Sequence, residues 1–437
     1  MRSSPRHRGF TVLLTSTLFS GVSNAMAAVG LPWLVLEHTG EASSAGLVAA
    51  AGSLPLLAGI VFGGVVVDKM GRVLTSVVSD VLSAVSVLLV AVFYLQDWLP
   101  LPLLVALVVL GAVFDQSGVI AKVALVADYA NSGGLSPQRA NALHAATTGL
   151  AATCGPGLAG LLIGVTGVGW MLCATTVLPA LAAALTFAVR TSVPSDRATA
   201  QEPLPVEASE EGDAAPRAVR RHLAYAVEGF SVVRANRLLR VLAILSFGFS
   251  IGSLPVQNIA LPQHFQARGS PEVLGLFLLC TCAGGIVGAL AFGALTRKIS
   301  KRALFIAAIA GSNVLLFALA TLPDTLPLLV LATALGLVAG PITPIFNIAL
   351  QARVPPEALG RAISVFTVAA CIAAPVGYVV CGPLIDAFGA GAALLLLAVA
   401  MVPISLVALL SPALRALDSP AIPVGPAKPR PVAERTE

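Results

Sequence analysis

Apolar runs of about twenty residues, the length a helix needs to cross ~30 Å of hydrocarbon, recur along almost the whole chain. Six lie at Phe10–Val35, Ser44–Val67, Leu74–Phe93, Leu101–Ala121, Ala140–Val165 and Gly169–Val189. Six more lie at Leu238–Leu261, Pro271–Leu295, Ala303–Leu322, Leu326–Leu350, Arg361–Ile385 and Ala390–Leu410. The pattern predicts an all-α integral membrane protein with twelve transmembrane helices. Composition points the same way: of 437 residues 57% are hydrophobic and 11% charged, against about 25% charged in an ordinary soluble domain. With a mean hydropathy of +0.92 the apolar surface exceeds what one soluble core can hide, so the lipid bilayer is the expected solvent.

Between the two sets lies one long polar segment, 190–237, containing SVPSDRATAQEPLPVEASEEGDAAPRAVRR. Its Pro, Glu, Ser and Arg have little to bury, so it reads as a cytoplasmic linker with a short surface helix near its end. The segment 411–437 reads as a disordered cytoplasmic tail. The expected units are therefore an N-terminal six-helix half, 1–189, and a C-terminal half, 238–410. The start, MRSSPRHR before an apolar run and Ala25-Met26-Ala27, has some features of a cleavable signal. Its apolar stretch continues through Leu36, well past the ~7–15 residues of such a signal, and reads as the first span.

Charge placement tests the helix count separately. An even number of spans with both termini in the cytoplasm assigns Lys and Arg to the termini and to alternate loops. Of the 26 Lys and Arg, Arg268 alone falls on the opposite side and Lys122 alone within a span. The net charge of +5 is then a mark of membrane orientation, and a nucleic-acid partner is not expected. The six cysteines all fall in spans, where buried free thiols are expected.

Two motifs imitate enzymes. Gly155, Gly157 and Gly160 spell G-x-G-x-x-G, but a dinucleotide site needs a strand before the glycines and a helix opening on them. Here they interrupt one apolar span and Pro156 sits among them. Gly248-Phe249-Ser250-Ile251-Gly252 matches G-x-S-x-G, yet belongs to a span with no strand-turn-helix elbow. No catalytic residue, metal site or cofactor is assigned from the sequence.

The chain also repeats itself. Laying the segment from His38 on the segment from Ala267 puts Gly40 on Gly269, Gly46 on Gly275 and Gly64 on Gly293 without a gap. A later pair puts Arg139 on Arg361, Gly160 on Gly382 and Gly167 on Gly389. Two six-helix, pseudo-symmetric halves, both starting on the same side, are the parallel-repeat plan of a transporter whose substrate sits between them.

The loop GGVVVDKMGR, with Gly64, Asp68, Lys69, Gly71 and Arg72, fits G-x-x-x-D-(R/K)-x-G-R and lies between the second and third helices. On this motif and the repeat, the chain resembles the major facilitator superfamily over essentially all its spans. The second-half copy is degenerate, with Arg297 at the acidic position and Ser300 at the glycine. LPWLVLEHTGEASSAGLV, RANAL followed by GPGLAG, and VPPEALGRAISV followed by APVGYVVCGPLIDAFG are similar to the drug-exporter branch that includes macrolide efflux proteins. The resemblance implies proton-driven export by alternating access, with the proton gradient as energy source and no cofactor. It implies a small amphiphilic substrate, a chain working as a monomer, and a place in the bacterial cytoplasmic membrane. An uptake or facilitated-diffusion carrier of a small metabolite on the same fold is the alternative, and a membrane sensor or scaffold without transport is a third class.

Site expectations follow. Asp115 lies in the fourth span with Lys122 seven residues on, on the same helical face; burying such groups is costly unless they face a cavity or a partner. They form either an internal structural pair or the group that carries the coupling proton, with Asp80 of the third span as a further candidate. Thr153, Gly157, Gly160 and Gly164 recur at three to four residues, a groove of small residues that admits a neighbouring helix, and Gly155-Pro156 permits a kink. By resemblance this is a packed, bendable seam against the second half; tight packing alone is the other reading. Also by resemblance, Asp68 and Arg72 gate the cytoplasmic face, where helix capping and membrane anchoring are the plainer roles. Asn24, Gln116, Gln257, Asn258 and Asn347 fall in the spans that line the central cavity in this family.

Overall fold

The computed structural model of the chain describes residues 5–133, 135–189 and 229–419. Side chains at 5–8, 57–58, 60–65, 68, 131–133, 137–138, 356–357 and 360 lie outside the description, and with them the expectations for Gly64 and Asp68. The polar residues 190–228 and the end from 420 are outside it as well.

In hydrocarbon each backbone polar group has to find its partner within the segment, which selects helices. The first half is α1 (Pro5–Thr39), α2 (Ala42–Met70), α3 (Arg72–Leu95), α4 (Leu101–Gly133), α5 (Pro137–Thr166) and α6 (Val168–Val189). The second is α7 (Arg237–Ala267), α8 (Pro271–Leu295), α9 (Lys301–Ala320), α10 (Thr325–Arg353), α11 (356–388) and α12 (390–410). Among the described residues ten stretches are long and apolar enough to cross a membrane. The last of these, Arg361–Leu410, is 50 residues long and is divided at Gly389, and α2 adds a helix of 29 residues. Two groups of six result.

The repeat is visible in the backbone. Gly167, between α5 and α6, has φ 82 and ψ 163; Gly389, laid on it by the sequence, has φ 80 and ψ 165 and makes the same sharp turn. L-residues with a Cβ avoid this region, so glycine is what lets each helix pair reverse without a loop. Gly40 and Gly269 turn the chain at the same end, with φ 72 and 63. The other end carries Lys69, Arg72, Arg297, Lys298, Lys301 and Arg302 and is called the basic end below.

Lipid tails are as apolar as leucine, so helices in a bilayer associate through small residues and interhelical hydrogen bonds. Ser16 Oγ lies 2.7 Å from Thr186 Oγ1, and Ser23 Oγ donates to the carbonyl of Thr175 at 3.2 Å, joining α1 to α6. Leu290, Leu326, Val165 and Val314 are strongly exposed, as lipid-facing positions should be. Trp98 and Trp170 are exposed at the glycine-turn end, where aromatic rings favour the membrane interface.

Three boundaries differ from the sequence reading. α7 continues past Leu261 to Ala267, through a π-helical turn at Val256–Ala260 after Pro255. α4 extends beyond the apolar run and carries Asp128, which the apolar pattern would leave in a loop. Pro412–Leu417 forms a 3-10 helix with Leu414 and Leu417 buried, so the expected disordered tail does not begin at Ser411. Arg353 Nη2 donates to the carbonyls of Ala416 and Ser419, and Asp418 accepts from the amide of Arg302 at 3.2 Å, which ties that segment to the basic end.

Candidate functional site

Between the halves lies a cavity of about 280 Å³. Its wall is mostly apolar and comes from α1 to α4, with Asn258 of α7 and Tyr378 of α11 supplied by the other half. Asp115 is its acidic liner, and Asn24 Nδ2 donates to Asp115 Oδ1 at 2.9 Å. Across the cavity Asn258 Nδ2 donates to the Tyr378 hydroxyl at 3.0 Å and to the carbonyl of Leu254 at 3.0 Å. The arrangement offers a greasy container with an anionic or acid group on one side and an amide-phenol pair on the other.

A second polar cluster sits one turn along α1 and two turns along α4, toward the basic end. Lys122 Nζ pairs with Asp80 Oδ1 at 2.8 Å, with the two side chains only 6% and 7% exposed. Ser20 Oγ donates to the same carboxylate oxygen at 2.7 Å and also receives Lys122 Nζ. Asp80 Oδ2 is buried and has no hydrogen-bond partner among the described residues. The periodicity of α4 puts Asp115 and Lys122 on one face, but the direct partner of Lys122 is Asp80 of α3. Gly118 makes this possible: a Cβ there would lie 2.6 Å from Ser79 Cβ, so α4 lies tight against α3.

At the basic end Arg72, in the first turn of α3, pairs with Asp128 of α4, both about half exposed. Lys69 is exposed and Gly71, with φ 80, makes the turn between α2 and α3.

The small-residue groove on α5 faces the other half. A Cβ on Gly160 would come within 2.6 Å of Gly275 Cα, Gly275 N and the Pro271 carbonyl of α8. Gly157 lies against Leu279 and Gly164 beside the Glu272 carboxylate, both of α8, while Gly155 faces α1 at Ala25. Pro156 is accommodated within a continuous helix. The equivalent seam joins α2 to α11: a Cβ on Gly46 would meet the Tyr378 carbonyl at 2.5 Å, and one on Gly382 the Ala42 carbonyl and Ser43 Cα at 2.6 Å. There the Asp386 carboxylate accepts the amides of Ala42 at 2.7 Å and Ser43 at 2.8 Å. Both seams close at the glycine-turn end. Toward the basic end the close approach stops: a Cβ at Gly149 of α5 or Gly293 of α8 would meet open space.

Of the five amides expected to face a central cavity, Asn24 and Asn258 do. Gln257 lines a different cavity within the second half. Gln116 packs over Gly59 of α2, and Asn347 is exposed on α10; neither lines these cavities. Tyr378, Ser20 and Asp386 carry no sequence signal of their own, since a lone tyrosine, serine or aspartate in an apolar helix does not disclose its partner.

A family model described as Major Facilitator Superfamily matches residues 13–377 and 249–436. The chain is 33% identical over 413 residues to the multidrug efflux pump Tap of Mycolicibacterium fortuitum, covering 93% of this chain and 96% of that one. It is 33% identical over 428 residues to the multidrug efflux pump Tap of Mycobacterium tuberculosis (strain ATCC 25618 / H37Rv), covering 96% of each. Among solved structures it is similar to the nucleoside transporter NupG, in a mutant form at TM-score 0.74 with 11% identity over 94% of this chain and 100% of that one. A second NupG structure matches at TM-score 0.67 with 12% identity, covering 95% of this chain and 99% of that one.

Proposed function

The chain belongs to the Major Facilitator Superfamily and is a membrane transport protein, not an enzyme; from that premise we propose that it exports hydrophobic or amphiphilic drug-like compounds in exchange for protons. It does so by alternating access, as a monomer in the bacterial cytoplasmic membrane, with both termini and the basic end in the cytoplasm. Residues 1–189 and 238–410 are the two rocking halves and 190–237 the linker. The relatives named multidrug efflux pumps, at one-third identity over nearly the whole chain, support the direction and the cargo class.

The observation that carries the reading is the apolar interhalf cavity with Asp115 in its wall. An amphiphile is held there by its greasy surface, and a cationic head is matched to the Asp115 carboxylate. Substrate and proton then compete for one group, which is the simplest way to couple them. Asn24 holds the carboxylate in place, and Ser20 on the same helix links toward the Asp80–Lys122 pair. Asp115, Asp80 and Lys122 thus form an intramembrane line from the cavity toward the basic end. Under this reading the closed glycine seams lie on the outer side, and the described state is assigned as inward-facing. Asp68, Lys69, Gly71 and Arg72 with Gly64 form the gate at the basic end, where the Arg72–Asp128 pair of the first half is already made.

The test is accumulation of a dye and antibiotic panel in an efflux-deficient bacterium carrying wild type or Asp115→Asn at equal protein level, with and without a protonophore. Reduced accumulation by wild type, abolished by the substitution and by the protonophore, is the expected result. Accumulation unchanged across the panel, or lowered equally by Asp115→Asn, would reject proton-coupled export through Asp115.

A further inference from the structure

The second half encloses its own cavity, of about 130 Å³, between α7, α8, α9, α10 and α12. It is the counterpart of the wall that the first half gives to the interhalf cavity. Carried forward without a gap, the register that lays Gly64 on Gly293 lays Ser83, which lines the first cavity, on Ser312, which lines the second. The two spaces have different chemistry. Where the first has Asp115, the second has neutral groups: Gln257, Ser312, Asn313, Ser253, Thr281 and Ser405. The rest of its lining is largely apolar, with Phe249, Phe277 and Met401 among the residues that form it.

Two atoms of these groups are buried without a partner among the described residues. Asn313 is 9% exposed and Ser312 4%, and neither Asn313 Oδ1 nor Ser312 Oγ has a hydrogen-bond partner among the described residues. A buried acceptor left open costs free energy that an apolar side chain of the same size would avoid, so such a pair calls for an occupant. The π-helical turn of α7 separates the two spaces: Gln257 lines the second cavity and its neighbour Asn258 the first. Turns of this kind shift helix register by one residue and recur at functional sites.

We infer that this cavity is a second binding compartment, for a small uncharged apolar molecule, or the uncharged end of a larger one, that carries an O–H or N–H donor. The donor bonds to Asn313 Oδ1, the Ser312 hydroxyl donates to the occupant's own oxygen where it has one, and the ring or chain fills the space beside Phe277 and Met401. A volume of this order suits a single ring, as cavities of ~150 Å³ that hold benzene show. That the occupant is cargo rests on the export reading; that it binds rests on the cavity alone.

The experiment uses the full chain purified in detergent micelles, with 4-fluorophenol and 4-fluorotoluene as fluorine-NMR probes. Wild type is expected to bind 4-fluorophenol at least tenfold more tightly than Asn313→Leu, and several-fold more tightly than Ser312→Ala. Affinity for 4-fluorotoluene, which has no donor, should differ little among the three, and Asp115→Asn should leave the phenol affinity unchanged. Equal phenol affinity in wild type and both variants would overturn the proposal, leaving a cavity that holds only water. Loss on Asp115→Asn instead would also overturn it, because the phenol would then sit in the first cavity. If phenol binding follows Asn313 while the accumulation assay is negative, the export reading fails and the compartment stands. The reverse pattern removes the compartment alone.

Discussion

The two halves of this molecule pack alike and are charged differently. Their seams are built from equivalent glycines: Gly160 meets Gly275 on one side, and Gly382 and Gly46 hold α2 to α11 on the other. Their interiors diverge. The first half buries Asp80 and Lys122 and places Asp115 in its cavity wall, whereas the second places Ser312, Asn313 and Gln257 around its cavity. In the proposed alternating-access cycle the halves rock on each other at both seams, and the backbone approach seen there is one that only glycine permits. Charge in hydrocarbon is costly and is kept where a partner or a cavity justifies it. The difference therefore separates what the motion requires of both halves from what the chemistry asks of one.

The sharpest way to break the comparison is at the buried pair. Lys122→Met leaves Asp80 with neither cation nor partner on Oδ2, and losing one member of a buried ion pair costs about 3–5 kcal/mol. Thermal unfolding in detergent should show a large loss, and the double variant Asp80→Leu, Lys122→Met should recover most of it. If the double variant is restored in stability but dead in transport, the pair serves coupling; if both return, the pair is structural.

The seam is next. Gly160→Leu has no rotamer that avoids the α8 backbone, and overpacking of this kind typically costs about 1–3 kcal/mol. Efflux should be lost at normal protein level, and disulfide crosslinking between positions 164 and 272 in a Cys variant should fall. Gly149→Leu, on the same helix where a Cβ meets open space, is the control that should transport.

The smallest effect is expected where the two seams themselves differ. On the α2–α11 side Asp386 accepts two amides from the start of α2, whereas on the α5–α8 side the Glu272 carboxylate, in the first turn of α8, lies beside Gly164 near the C-terminal end of α5. Asp386 is exposed, so Asp386→Asn should weaken closure by only about 1 kcal/mol. Maleimide labelling of a cysteine placed at Ser43 should rise a few-fold, with thermal stability nearly unchanged. No change in labelling would make the clasp incidental to closing.

Much of this architecture is legible in the amino-acid sequence. Span length needs only a count of apolar residues, and the repeat that joins Gly167 to Gly389 needs only an alignment; both reappear in the backbone, down to matching dihedral angles. The groove on α5 is legible as a groove, because small residues at helical spacing leave a trench whatever fills it. What fills it is not. Asp115 and Lys122 share a face of α4 by periodicity, but periodicity says nothing of α3, and so the partner of Lys122 stays hidden. Gln116 and Gln257 depart from expectation for the same reason: being polar on the right helix does not tell which neighbour the residue meets, Gly59 of α2 for one and, at the π-helical turn, the second half's cavity for the other.

The sequence by itself determined the solvent, the twelve crossings, the duplication and the places where backbones had to touch, because each follows from one helix meeting lipid or turning at a glycine. Only the tertiary structure decided which carboxylate meets Lys122, which end of the seams is shut, and that the second half encloses a cavity with open hydrogen-bonding groups. Those depend on the relative rotation and depth of helices far apart in the chain, and in a bilayer these are fixed by contact between helices and by no property of any one of them.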